Sequence, residues 1–165
     1  MMKRLGIFLT VVALGLAAGC GDDNNGTPGG PSNTTIFQVN LLPSNEVPPI
    51  TNAEQSARGT AVITVNSQAN TIDFNVSLNS FPTTSALTAA HIHPGPAGVN
   101  GGVLIGTGLT AANAPSLASG SATFSFTGVT GTADQIAQIL ANPQNFYFNV
   151  HTTTNGGGVM RGQLR

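Results

Sequence analysis

Apolar and polar residues alternate along several short stretches of the chain after residue 35. In TIDFNVSL (71–78), the even-numbered positions are apolar and the odd-numbered positions are polar. Because successive side chains of a strand point to opposite faces, this pattern predicts a strand with one buried and one solvated face. RGTAVITV (58–65) alternates in the same way, and residues 66–70 between the two stretches predict a hairpin connection.

Other stretches predict further strands of the same kind. They are IFQVNLL (36–42), AAHIH (89–93), SATFSF (121–126), FYFNVH (146–151) and VMRGQL (159–164). Glycine and proline are frequent in the connections, including the long stretch GVNGGVLIGTG (98–108), for which we expect turns.

One stretch, GTADQIAQILANP (131–143), has a helical pattern instead. Its isoleucine and leucine residues recur at helical spacing, Thr132 and Gln135 are spaced as in a capping box, and Pro143 ends the segment. About seven short strands and one short helix predict an all-β fold, an antiparallel β-sandwich formed by one domain.

The first twenty residues have the three parts of a bacterial export signal. Lys3 and Arg4 form a positive start, residues 5–16 form an apolar run too short to span a bilayer, and small residues precede Cys20. The sequence LAAGC (16–20) resembles the lipobox, in which the cysteine becomes the lipid-carrying N-terminus. We expect a lipoprotein signal peptide over residues 1–19, lipidation at Cys20, a flexible tether over 20–35 and a folded domain over 36–165.

Cys20 is the only cysteine of the chain, so it cannot form an internal disulfide. The alternative to lipidation is an ordinary signal peptide with a chance cysteine nearby. Gly21 follows Cys20, whereas enterobacterial lipoproteins kept in the inner membrane usually have aspartate there. We expect an exported protein, anchored by lipid to the cell membrane or the outer membrane, and therefore periplasmic or on the cell surface.

Charge argues against nucleic acid as a partner. Charged residues make up only 7% of the chain, and past residue 4 three arginines face six acids. Nucleic-acid binding that is independent of sequence needs a row of lysine or arginine to replace phosphate counterions.

The three histidines of the chain are the main candidates for chemistry. Ile92 is the natural core residue of AAHIH, which places His91 and His93 on the opposite, solvated face. In FYFNVH, Phe148 and Val150 take the core face, so His151 is also expected on the solvated face.

Two interpretations of these histidines stay open. His91 and His93 could bind one zinc or copper ion, with His151 completing a three-histidine site if the two strands are adjacent. The structural alternative is that the imidazoles hydrogen-bond loop carbonyls and hold the turns at 94–96 and 156–158 in place. No acidic residue lies within ten positions of any of the three.

Other candidate groups offer little support for catalysis. The chain has no G-x-S-x-G nucleophile motif. We expect Glu46, Glu54 and Asp73 to be solvated surface acids, since their spacing does not identify a catalytic pair. Arg161 is expected to form structural hydrogen bonds, either at the surface or across to the histidine loop.

Three segments together resemble the CHRD domain, named for its occurrence in chordin. LLPSNEVPP (41–49), AAHIHPGPAGVNGGV (89–103) and NFYFNVHTTTNGGGVMRGQLR (145–165) occur in the order typical of that family. The family commonly has an acidic residue and an aliphatic one before R-G-Q, where this chain has Val159 and Met160. The resemblance implies an immunoglobulin-like or superoxide-dismutase-like sandwich in an extracellular setting. Copper–zinc dismutases, however, need more histidines and a disulfide.

Two functional hypotheses follow. The first is a lipid-anchored, non-catalytic module of the cell envelope that binds an extracellular protein or glycan and has no certain cofactor. The second is a copper- or zinc-binding protein that uses His91, His93 and His151.

Overall fold

The computed structural model describes residues 33–165, which form two stacked β-sheets and one helix. Cys20, the predicted signal peptide and the predicted tether up to residue 32 lie outside these residues. The strands are β1 (Thr34–Leu41), β2 (Arg58–Asn66), β3 (Thr71–Asn79), β4 (Leu87–Pro94), β5 (Ile105–Gly106), β6 (Ala122–Thr130), β7 (Phe146–Thr152) and β8 (Met160–Gln163), and the helix is α1 (Ala133–Ala141). Short 3-10 turns lie at Pro43–Asn45, Ala53–Ser56 and Pro143–Asn145.

All strand pairs are antiparallel. One sheet has the order β1-β2-β3-β6 and the other the order β5-β4-β7-β8. An isolated bridge between Leu42 and Arg161 joins the end of β1 to β8. The predicted antiparallel β-sandwich with one short helix is confirmed.

The core lies between the two sheets and consists of the apolar faces that the alternation predicts. Ile72, Phe74, Val76 and Leu78 are all buried on β3. Phe74 stacks on Phe148 of the opposite sheet, with ring centroids 5.5 Å apart. Ring pairs at this separation add to the stability that the burial of apolar area supplies.

The helix is capped as its sequence predicts. The Thr132 hydroxyl accepts a hydrogen bond from the Gln135 backbone N–H, and the Gln135 side chain accepts one from the Thr132 N–H. Ile136 and Ile139 are buried in the core, so α1 packs on the sandwich through its apolar side.

One short strand lies where only turns were expected. Ile105 and Gly106 pair with Ile92 and His91 and form β5. The glycine-rich residues before it are irregular, and they form the loop from 95 to 104 that returns across the outer face of β4. No helix among residues 33–165 is long and apolar enough to cross a membrane.

Candidate metal centre

β4 and β7 are direct neighbours, which brings the three histidines together. In their register His91 lies opposite Asn149, His93 opposite Tyr147, and Ala89 opposite His151. The side chains of His91, His93 and His151 therefore project from one face of the sheet within two register steps. The adjacency that a three-histidine site requires is present.

The imidazole rings converge. His91 Nδ1 lies 3.2 Å from His151 Nε2. The ring centroid of His93 lies 5.6 Å from that of His91 and 5.8 Å from that of His151. Each ring offers one nitrogen, and these three nitrogens lie within 4.8 Å of one another.

The remaining ring nitrogens of two histidines bind loop carbonyls. His93 Nδ1 lies 3.1 Å from the Gly101 oxygen and 3.0 Å from the Gly102 oxygen, and His151 Nδ1 lies 3.1 Å from the Gly156 oxygen. A carbonyl only accepts, so these partners assign the N–H to Nδ1 and leave Nε2 with a lone pair. The hydrogen bonds to loop carbonyls that the structural interpretation predicts therefore exist, although His93 binds residues 101 and 102 instead of the turn at 94–96.

His93 and His151 thus each have a lone pair on Nε2, and the His151 lone pair is 3.2 Å from His91 Nδ1. Since His151 Nε2 is an acceptor, His91 Nδ1 must donate the hydrogen bond that joins the two rings. His93 Nε2 is buried and has no hydrogen-bond partner. A buried polar atom without a partner is uncommon and unfavourable.

The prediction that this face of the sheet is solvated is wrong. His93 is 6% and His151 7% exposed, and only His91 among the three is partly exposed. The loops at 95–104 and 153–159 fold back over the face through the hydrogen bonds that His93 and His151 donate. Alternation assigns side chains to a face, but it carries no information on what covers that face.

Burial holds the histidines in their neutral form. It lowers the pKa of His91 to about 4, and the Coulomb interactions with His151 and His93 add to this effect. Burial also lowers the pKa of His93 and of His151, and the loop carbonyls oppose it only in part. Neutral imidazole is the form that binds metal ions, so no proton must be displaced from a charged ring near pH 7.

Two further residues of β7, Tyr147 and Asn149, lie beside the cluster on the histidine face. Tyr147 stacks on His93 with ring centroids 5.0 Å apart and planes 6° apart, and its hydroxyl accepts a hydrogen bond from the Gly101 N–H. Asn149 is buried beside His91, and its Oδ1 has no hydrogen-bond partner. The alternation of FYFNVH places both residues on the same face as His151, but it does not reveal their contacts with the histidines.

Arg161 contacts the loop 95–104, which follows His93 in the sequence. This is one of the two arrangements that the sequence predicted for it. Its guanidinium donates to the carbonyl oxygens of Asn45 and Val99 and to Asn100 Oδ1, and Cζ lies 4.4 Å from the Tyr147 ring centroid. The side chain is 1% exposed, so it is not a surface charge. Arg161 fixes the loop that carries the carbonyl partners of His93.

Glu46 and Glu54 are not the solvated acids that were expected, since they are 6% and 1% exposed. Glu54 accepts hydrogen bonds from three neutral side chains, Ser85, Thr152 and Asn155.

The environment of Glu46 is different. Its Oε1 has no hydrogen-bond partner, and burial raises the pKa of Glu46 to about 7 although Arg161 opposes the shift. Glu46 and Glu54 both lie in the connection from β1 to β2, whose burial depends on packing against residues distant in sequence. Asp73, in contrast, lies on the outer face of β3 and accepts a hydrogen bond from the Gly128 N–H.

Two of the three nitrogens have the spacing of ligands in a tetrahedral metal site, and all three lie within 4.8 Å of one another. Zinc–nitrogen bonds of about 2.0–2.1 Å in a tetrahedral site separate two ligand nitrogens by about 3.3 Å. His91 Nδ1 and His151 Nε2 are already 3.2 Å apart. The second nitrogens of His93 and His151 are held by carbonyls, which is how metal-binding histidines are usually oriented.

Comparison with known proteins identifies the domain. The family model of the CHRD domain matches residues 37–164. No curated protein and no solved structure matches the chain. The matched range includes all three histidines and both loops that cover them.

Proposed function

The chain belongs to the CHRD domain family, and we propose that its domain binds one zinc or copper ion through His91, His93 and His151. The observation that carries this proposal is His93 Nε2, a buried lone pair with no partner that faces two other imidazoles. An ion at the centre of the cluster would give that atom a bond.

The ligand atoms follow from the hydrogen bonds around the rings. His93 and His151 would bind through Nε2, because Nδ1 of each is held by a loop carbonyl. His91 would bind through Nδ1, which requires its proton to move from Nδ1 to Nε2 so that the ring stays neutral. Three protein ligands leave a fourth position free for water or another ligand.

We also propose that the domain acts at the cell envelope and is not an enzyme. The apolar run and LAAGC motif before Cys20 support lipid anchoring, and the net negative charge after residue 4 argues against a nucleic-acid partner. Both oxygens of Glu54 are used by neutral side chains, so this acid is not available as a general base. An extracellular protein or glycan remains the proposed partner of the anchored domain.

Metal titration tests the proposed site. The full-length protein is purified in detergent, stripped with a chelator and titrated with Zn²⁺ or with copper, and its metal content is measured by elemental analysis. We expect one equivalent in the wild type and none in His93→Ala. Gln38→Ala, an exposed residue of the other sheet, serves as the matched control and should bind one equivalent.

Thermal unfolding separates loss of binding from loss of fold. A ligand that binds only the folded state at about 100 times its Kd adds about 2.7 kcal/mol of stability. Wild type and Gln38→Ala should therefore unfold at a higher temperature with metal, and His93→Ala should not. Absence of stoichiometric metal in the wild type would disprove the site, as would equal binding by a folded His93→Ala variant.

A further inference from the structure

We infer that the three-histidine cluster selects monovalent copper, Cu(I), over divalent ions such as Zn²⁺. This inference rests on the proposed metal site and concerns which ion it holds. It follows from the charges around the cluster, not from the type of the ligand atoms, because imidazole binds both zinc and copper.

The ligands and their hydrogen-bond partners are all neutral. The three imidazoles carry no charge when they bind a metal ion. His93 and His151 donate to backbone carbonyls of Gly101, Gly102 and Gly156, where many metal-binding histidines donate to a carboxylate. Among residues 33–165, no aspartate or glutamate lies with the three histidines in the group that could hold an ion. The charge of a bound ion would therefore not be balanced by its ligands.

A cation, the Arg161 guanidinium, acts electrostatically on His93 from this face of the sheet. Tyr147 lies on β7 between β4 and β8, with the His93 ring stacked on it at 5.0 Å and Arg161 Cζ over it at 4.4 Å. The hydrogen-bond acceptors of Arg161 are two carbonyls and the Asn100 amide, all neutral. None of these acceptors is anionic. The Glu46 carboxyl also interacts electrostatically with Arg161, but burial raises the pKa of Glu46 to about 7, so near neutral pH it balances the guanidinium only in part.

Asn149 occupies the position where a balancing anion would lie. It stands opposite His91 on β4 and opposite Arg161 on β8, and it is 2% exposed. Its Oδ1 has no hydrogen-bond partner. A carboxylate at this position would lie on the same sheet face as the ion and the guanidinium, but the side chain is a neutral amide.

The neutral ligands and the positive charge of Arg161 disfavour a divalent ion more than a monovalent one. The free energy of moving an ion from water into a poorly solvated site rises with the square of its charge, and repulsion from Arg161 rises with the charge itself. His93 and His151 are almost fully buried, so water can screen the ion only from the side of His91. Three neutral nitrogen ligands can hold Cu(I) without any anionic group.

Competition titrations of the full-length protein in detergent test the inference. Cu(I) is supplied anaerobically with excess ascorbate and competed against bicinchoninate, and Zn²⁺ is competed against a chromophoric chelator. We expect the wild type to bind Cu(I) at least tenfold more tightly than Zn²⁺. In Asn149→Asp, which adds one negative charge with almost no change of shape, the ratio of Zn²⁺ to Cu(I) affinity should rise by about tenfold or more.

Asn75→Asp is the matched control, because it places the same charge on the exposed face of β3 in the other sheet. It should leave the ratio unchanged. Two results would overturn the proposed selectivity: tighter binding of Zn²⁺ than of Cu(I) by the wild type, or an unchanged ratio in a folded Asn149→Asp variant. Neither result would contradict the proposal that the histidines bind a metal ion. Failure of the wild type to bind either ion would overturn both proposals.

Discussion

At the scale of single residues, each buried histidine uses its two ring nitrogens for different purposes. His93 and His151 bind a loop carbonyl through Nδ1 and present Nε2 to the cluster. The structural and the metal-binding interpretations of these residues are therefore not exclusive. The carbonyl contact fixes the orientation of the ring, and this orientation is what leaves the other nitrogen facing its neighbours.

Glu46 should make the stability of the protein fall as the pH rises from about 4.5 to about 7. Its pKa is about 7 in the folded protein against an ordinary value of 4.5 in the unfolded chain, so the folded state binds the proton more tightly. The stabilisation that protonated Glu46 contributes is fully present below the pKa of the unfolded state. It is lost as the pH rises through the pKa of the folded state. Above pH 7 the loss should be on the order of 3 kcal/mol, and Glu46→Gln should remove it.

Urea denaturation of both proteins between pH 4 and pH 8 measures this effect. The difference between the two curves isolates Glu46, because the histidines contribute equally to each. Gln38→Ala, which changes an exposed neutral residue of β1, should leave the pH slope as in the wild type. A Glu46→Gln variant whose stability parallels that of the wild type over the whole range would contradict the assignment.

At the scale of elements, the loop between β4 and β5 positions the cluster. The carbonyls of Gly101 and Gly102 both accept from His93, and the Gly101 N–H donates to the Tyr147 hydroxyl. A Cβ atom added to Gly101 would overlap the Pro94 carbonyl, whereas one added to Gly102 would meet nothing within 4 Å. The two glycines therefore differ in what a side chain would do to the loop.

Gly101→Ala should weaken metal binding, and Gly102→Ala should not. The first substitution must shift the loop and with it both carbonyl partners of His93, which we expect to lower metal affinity by about tenfold or more. The second leaves the loop in place and is the matched control. Chelator competition measures the affinities, and circular dichroism shows whether each variant is folded. Equal affinity of the two variants would argue that the loop does not position His93.

At the scale of the whole molecule, the proposed anchor and the proposed site belong to different parts of the chain. Cys20 lies before the described residues, and β1 begins at Thr34, two residues before the predicted start of the domain. All three histidines of the proposed metal site belong to strands of the sandwich.

Cys20→Ser should abolish lipid attachment and leave the domain intact. The substitution removes the thiol that lipidation requires, so incorporation of radiolabelled fatty acid should fall to background and the protein should leave the membrane fraction. Several acyl chains hold a protein stably at a membrane, whereas an unlipidated chain would be released. Ser44→Ala, within the folded domain, should label as the wild type does. Unchanged labelling of Cys20→Ser would refute the anchor.

The amino-acid sequence by itself determined the sandwich, the capped helix and the family. Alternation in TIDFNVSL and FYFNVH depends only on neighbouring residues, so it assigned the core faces of β3 and β7 correctly. It also placed His91, His93 and His151 on the face away from Ile92. Short motifs such as AAHIH and the spacing of Thr132 and Gln135 are equally local.

Only the tertiary structure decided that these histidines meet and that they are buried. His91 and His151 are 60 positions apart, and their contact depends on β4 pairing with β7. The burial of Glu46, Glu54 and Arg161 likewise depends on loops that pack against distant strands. Periodicity within a strand determines the face to which a side chain points. Which strand lies beside it, and which loop covers it, are set by long-range packing that no local pattern records.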